Sequence, residues 1–147
     1  MKAVHRAFIN KKLIPFILRK GGRGFLMERT LIQDLPGTPF YGDGIERRIP
    51  DCGTAACIKG SISVLIKTPY ASVVDCAKVL GITTEQAHGL FYSWGPGEPE
   101  TDYRWPSKYA TSFKQAKTTA GKARVAVNLL KEVIRTNGDC LNPKETA

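Results

Sequence analysis

The sequence predicts an all-α fold, a compact bundle of about six short helices around a central small-residue helix at about 54–67. Three observations predict it. Apolar residues recur at three- and four-residue spacing in several separate stretches. Residues that start helices and residues that stop them bracket those stretches. Strand-type alternation is scarce, and the segment 38–50, with Pro39, Gly42, Asp43 and Gly44, is at most a minor hairpin.

In chain order, residues 2–20 suit a basic helix with Val4, Phe8 and Leu13 inward, broken or restarted at Pro15. Leu13 to Leu18 reads equally as an extended strand, and Gly21-Gly22-Arg23-Gly24 follows as a joint. Phe25 to Leu35 is a short amphipathic helix stopped by Pro36-Gly37. The central helix follows Pro50, with Asp51 or Thr54 as its cap, and Ala56, Gly60 and Ser63 share one face. Ser72 caps a helix carrying Val73, Val74, Cys76, Ala77 and Leu80, closed by Gly81. Thr83 or Thr84 starts the next, with Ala87, Leu90 and Phe91 inward. Ser93 to Pro106 is irregular and bracketed by Trp94 and Trp105. Ser107 to about Lys117 is helical, with Tyr109 and Phe113 inward. Thr119 to Asn137 carries the clearest stripe, Ala123, Ala126, Val127, Leu130, Val133 and Ile134, ended by Asn137-Gly138. The expected organisation is a basic N-terminal extension (1–23), a single helical domain (24–138) and a C-terminal tail (139–147).

A chain of 147 residues buries a core of its own as one domain. No apolar run reaches the roughly 20 residues of a membrane span. Asn10-Lys11-Lys12 interrupts any secretory core, so a cytoplasm with reduced thiols is the expectation. The net charge of +9 is unevenly held. Residues 1–23 have seven Lys/Arg and no acid, residues 24–106 have seven basic against ten acidic groups, and residues 107–135 have seven against one. Two basic patches flank an ordinary middle.

Cys52 is the sharpest chemical candidate. A thiol at a helix start meets the positive end of the dipole, which favours the thiolate, and Gly53 and Thr54 complete a turn able to cradle an anion. A nucleophile needs a base, and the only histidines are His5 and His88. Against this stands a packing or backbone role, the ordinary one for Cys57 and Cys76 as well. Cys52, Cys57, Cys140 and His88 are of zinc-ligand type, but their spacing fits no zinc pattern, and no metal or cofactor is expected. Cys76, Ala77, Leu80, Gly81, Ile82, Ala87 and Leu90 match helix-turn-helix spacing, but the second helix offers Glu85, Gln86 and His88 and no cation for base edges. The segment with Tyr103, Arg104, Trp105, Lys108, Tyr109, Phe113, Lys114, Lys117, Lys122 and Arg124 interleaves rings and cations, as single-strand and nucleotide binders do. The plainer reading puts those rings in the core and the lysines in water.

The motif order Asp51-Cys52-Gly53-Thr54-Ala55-Ala56-Cys57-Ile58-Lys59-Gly60, Leu80-Gly81-Ile82, Glu85-Gln86-Ala87, Leu90-Phe91, Trp105-Pro106 and Ile134 to Gly138 resembles a family of small uncharacterised bacterial and phage proteins. That family has a Cys-Gly-Thr-x-x-Cys-Ile-x-Gly signature, usually with Ala before the last Gly and Trp soon after it. Here Lys59 and Ser61-Ile62 stand at those places. The resemblance covers roughly 25–138 and implies a bacterial or phage-infected cytoplasm, without an activity.

The functional expectation is a non-enzymatic protein that holds an anionic partner, a nucleotide-type ligand or nucleic acid. Tyr103, Arg104, Trp105, Lys108, Lys114 and Lys117 carry it, with Gly53 and Thr54 as a second cradle. In a phage setting this extends to an accessory or anti-defence role. The alternatives are a thiol enzyme using Cys52 with His88, and a structural or protein-interaction module, including a homo-oligomer. No membrane partner is expected.

Overall fold

The computed structural model describes residues 1–22, 57–68, 71–92 and 103–142. The helix expected at 25–35, the hairpin at 38–50 and most of the irregular segment after Ser93 lie outside the described residues. Those described are helical, with no strand among them. The order is α1 (Ala3–Phe8), a π turn (Ile9–Leu13), α2 (Ile14–Ile17), a 3₁₀ turn (Arg19–Gly22), α3 (Ile58–Leu65), α4 (Val73–Leu80), α5 (Thr84–Tyr92), α6 (Ser107–Gln115), α7 (Thr119–Thr136) and a closing 3₁₀ turn (Asp139–Leu141).

Pro15 shapes the N-terminal element. In a regular helix its missing N–H leaves the Lys11 carbonyl unpaired, and its ring presses on that carbonyl. The chain widens by one residue instead, with the Ile14 N–H donating five residues back to the Ile9 carbonyl. Helical pairing resumes at once, the Leu18 N–H donating to Ile14 O at 3.0 Å. The widened turn brings Ile9, Leu13, Ile14 and Ile17 onto one buried side. The segment set apart by its charge as an extension is therefore part of the core, and the strand reading of 13–18 is replaced by helix. α1 packs on α4, the π turn on α3, and α2 with the following 3₁₀ turn on α7.

Contact between α1 and α4 is close at one glycine. Gly81 has φ +70°, and a Cβ there would lie 2.2 Å from His5 Nδ1. The residue must be glycine both to turn the chain left-handed after α4 and to make room for the imidazole. The same turn leads into a capping box. Thr83 Oγ1 accepts from the Gln86 N–H at 3.1 Å, and Gln86 Oε1 accepts from the Thr83 N–H at 2.9 Å.

α3 is capped by Cys57, whose Sγ accepts from the Gly60 N–H at 3.4 Å. The cap is thus neither Asp51 nor Thr54, because Cys57 is still extended (φ −79°, ψ −172°) and only Ile58 begins the helix. Ile58 to Ser63 are all buried, Lys59 and Gly60 included, so this helix is enclosed on every side over its first six residues. Ser63 Oγ donates to Lys59 O and accepts from the Ala71 N–H, tying the return of the chain to the helix.

Thr118 caps α7 through the Gly121 N–H at 3.0 Å. Asn137 (φ 54°) and Gly138 (φ 87°) end it, and the Gly138 N–H donates to Val133 O at 2.9 Å. The chain past Asp139 is not all tail. Cys140 and Leu141 are buried, the Cys140 N–H donates to Thr136 Oγ1, and Leu141 O accepts from the Arg104 N–H at 2.7 Å.

Candidate functional site

α6 and α7 form a helical hairpin, separated only by Ala116, Lys117 and Thr118. Its inner side is made by Phe113 with Ala123, Ala126, Val127 and Leu130, all buried. Trp105, just ahead of α6, anchors the hairpin to α5. It is 2% exposed, its Nε1 donates to Leu90 O at 2.8 Å, and it meets Phe113 edge-on with ring centroids 5.3 Å apart.

The outer side leaves an open groove of about 430 Å³ between the two helices. Lys108, Tyr109 and Ser112 line it from α6, and Asn128, Lys131, Glu132 and Arg135 from α7. The two sets have the same origin. Positions four or seven apart share a helix face, so 108 and 112 align on one helix and 128, 131, 132 and 135 on the other. Lys108, Lys131 and Arg135 are exposed, and the Lys108 ammonium lies 4.9 Å from the centre of the half-buried Tyr109 ring. Arg135 donates from Nε to Glu132 Oε2 at 2.9 Å and from Nη2 to Oε1. Hydrogen bonding to this guanidinium holds the Glu132 carboxyl below its ordinary range and raises Arg135 in turn. The carboxylate is 18% exposed and the guanidinium side chain 70%, so Glu132 sits low in the groove and Arg135 stands at its rim.

The candidates separate. Lys108 is in the groove. Arg104, Lys114 and Lys117 are exposed but do not line it. Trp105, expected as a stacking surface, is enclosed by the core and presents no free face. Tyr103 is half-buried, its backbone tight against α5, where a Cβ on Gly89 would lie 2.6 Å from the Tyr103 carbonyl carbon. Lys122 holds its ammonium 5.3 Å from the Phe113 ring. Cys52, Gly53 and Thr54 lie outside the described residues. His88 is half-buried on α5. The helix-turn-helix spacing does correspond to a helix pair, but α5 buries Gln86, Ala87, Gly89, Leu90 and Phe91 and lacks a cation. Sequence reading passed over Asn128, Lys131, Glu132 and Arg135. Their helical spacing was readable on α7, but the pairing of that face with Lys108 was not.

Cys57, Cys76 and Cys140 are buried thiols outside any disulfide. Among the described residues no three His, Cys, Asp or Glu side chains group to hold a metal. Burial pushes the Cys76 thiol from 9.0 to about 11, against the lowering effect of nearby Lys59. Folded Cys76 keeps its proton where the unfolded chain has given it up. Between about pH 9 and 11 the unfolded state binds fewer protons, so stability falls as pH rises. Urea unfolding at pH 8 and pH 10.5 should therefore show the advantage of the native chain over Cys76→Ala shrinking at the higher pH. An unchanged difference would mean that the thiol titrates as in water.

Compared with known families, curated proteins and solved structures, the chain matches none.

Proposed function

We propose that this protein is a non-enzymatic binder of an anionic ligand of phosphate type, a nucleotide or nucleic acid, and that the α6/α7 groove is where it binds. One observation supports this above others. Three cations from two helices, Lys108, Lys131 and Arg135, line one groove together with Tyr109, and the one carboxylate among them is tied to Arg135. Residues 103–142 hold eight Lys/Arg against Glu132 and Asp139, so the field around the groove is positive well beyond its rim. The groove contains neither cysteine nor histidine, and its side chains suit holding an anion rather than attacking one. The cysteines among the described residues, Cys57, Cys76 and Cys140, stand outside any disulfide, which fits a reducing compartment and a cytoplasmic setting.

The test is fluorescence anisotropy with a labelled eight-nucleotide oligothymidylate at about 20 mM salt, repeated as salt is raised. Affinity should fall steeply with salt, since each neutralised phosphate releases counterions. The pair Lys108→Glu with Lys131→Glu should weaken binding at least tenfold while the melting temperature stays close to that of the native protein. Absence of binding at low salt would overturn the proposal.

A further inference from the structure

The exposed face of α7 runs on past the end of the groove, and that face points to the form of the ligand. Arg124 is exposed and lies seven residues before Lys131 and eleven before Arg135. At about 100° per residue Lys131 and Arg135 fall roughly 20° to either side of Arg124, so all three share one face about 40° wide. Asn128, between them, is exposed on the same face. At 1.5 Å per residue the row from Arg124 to Arg135 spans about 16 Å. It is level at one end with Lys108 and passes Ser112 on α6. A single phosphate has no use for such a row, whereas a strand does. Stacked nucleotides advance about 3.4 Å each along a strand, so 16 Å covers roughly four or five of them. The ring beside the row favours a single strand over a duplex. Tyr109 is half-buried in the groove wall, where an unpaired base can lie against it and a paired base cannot reach it.

We infer that the groove and the exposed face of α7 form one track for a short single-stranded nucleic acid, about four or five nucleotides long. Its phosphates follow Arg124, Lys131 and Arg135, and one base rests at Tyr109. Glu132 holds Arg135 upright at the rim. This rests on the anion-binding reading above and makes that reading more specific.

Oligothymidylates of two, three, five and eight nucleotides, thymidine monophosphate in competition, and an eight-base-pair duplex separate the two. Expected is affinity that rises at least tenfold from the mononucleotide to the five-mer and then levels off. Arg124→Glu should weaken the five-mer about fivefold or more and leave the mononucleotide unchanged, with an unaltered melting temperature showing that α7 is intact. Mononucleotide binding as tight as the five-mer, or a five-mer indifferent to Arg124→Glu, overturns the track and leaves the anion site standing. Equal affinity for the duplex, or for polyglutamate of similar charge, also overturns it, because the ring and row would then give no preference. Failure of every probe to bind overturns the site itself.

Discussion

Replacing Trp105 with alanine is expected to lower the unfolding free energy by about 3–5 kcal/mol, the range for large aromatic-to-alanine changes in a closed core. Three losses coincide. The indole is 2% exposed, so nearly all its surface is removed from water on folding. Its edge-on contact with Phe113 disappears. The Leu90 carbonyl loses the Nε1–H donor at 2.8 Å, and a buried acceptor left unpaired costs about 1–3 kcal/mol by itself. Urea denaturation followed by circular dichroism measures the sum. Trp105→Phe separates the terms, since it keeps a ring against Phe113 and loses only the donor and some volume. It should fall between the native chain and the alanine variant. A loss under about 1 kcal/mol for the alanine variant would mean that the indole faces solvent, as a ligand-stacking role requires. Trp105 lies two residues before α6, so this variant should also loosen Lys108 and weaken anion binding.

Trp105 shows where sequence reading stops. An indole among arginines and lysines looks the same in sequence whether it faces a base or a core. The decision depends on Leu90 and Phe113, fifteen residues upstream and eight downstream, being brought to it by the fold. α7 was legible nearly to the residue, because a long helix buried on one side writes its stripe into the sequence and Asn137-Gly138 can leave the helix in the left-handed conformation. The α4–α5 pair was legible for a similar reason, as Ser72, Gly81 and Thr83 act on backbone groups within a few residues of themselves. The groove was half legible. Lys108 stood out among nearby rings, but its partners come from a helix twenty residues on, and antiparallel pairing rather than spacing selects Lys131 and Arg135. The N-terminal segment was least legible. Its charge argued for a solvated arm and Pro15 argued for a break, while the π turn that reconciles Pro15 with a continuous helix has no sequence signature of its own.

That segment carries the second large effect. Removing residues 1–17 should abolish the cooperative unfolding transition. Ile9, Leu13 and Ile17 are fully buried and Ile14 nearly so. At about 1.5–3 kcal/mol for each buried aliphatic side chain, they contribute roughly 6–12 kcal/mol. A whole domain is stable by only about 5–15 kcal/mol. The deletion also bares the faces of α3, α4 and α7 that this segment covers. A point variant gives the same argument without shortening the chain. Leu13→Asp puts a carboxylate where no water reaches, and should leave little or no folded protein at 25 °C. The control is charge alone. Lys11→Gln with Lys12→Gln changes two exposed residues in the same turn and should alter stability by no more than about 0.5 kcal/mol. If the segment were a charged arm, the pattern would reverse, with Leu13→Asp tolerated and the lysine pair affecting only polyanion binding. The burial of Leu13 between exposed Lys12 and Pro15 requires the first outcome, and it makes the N-terminal cations the outer face of a core helix.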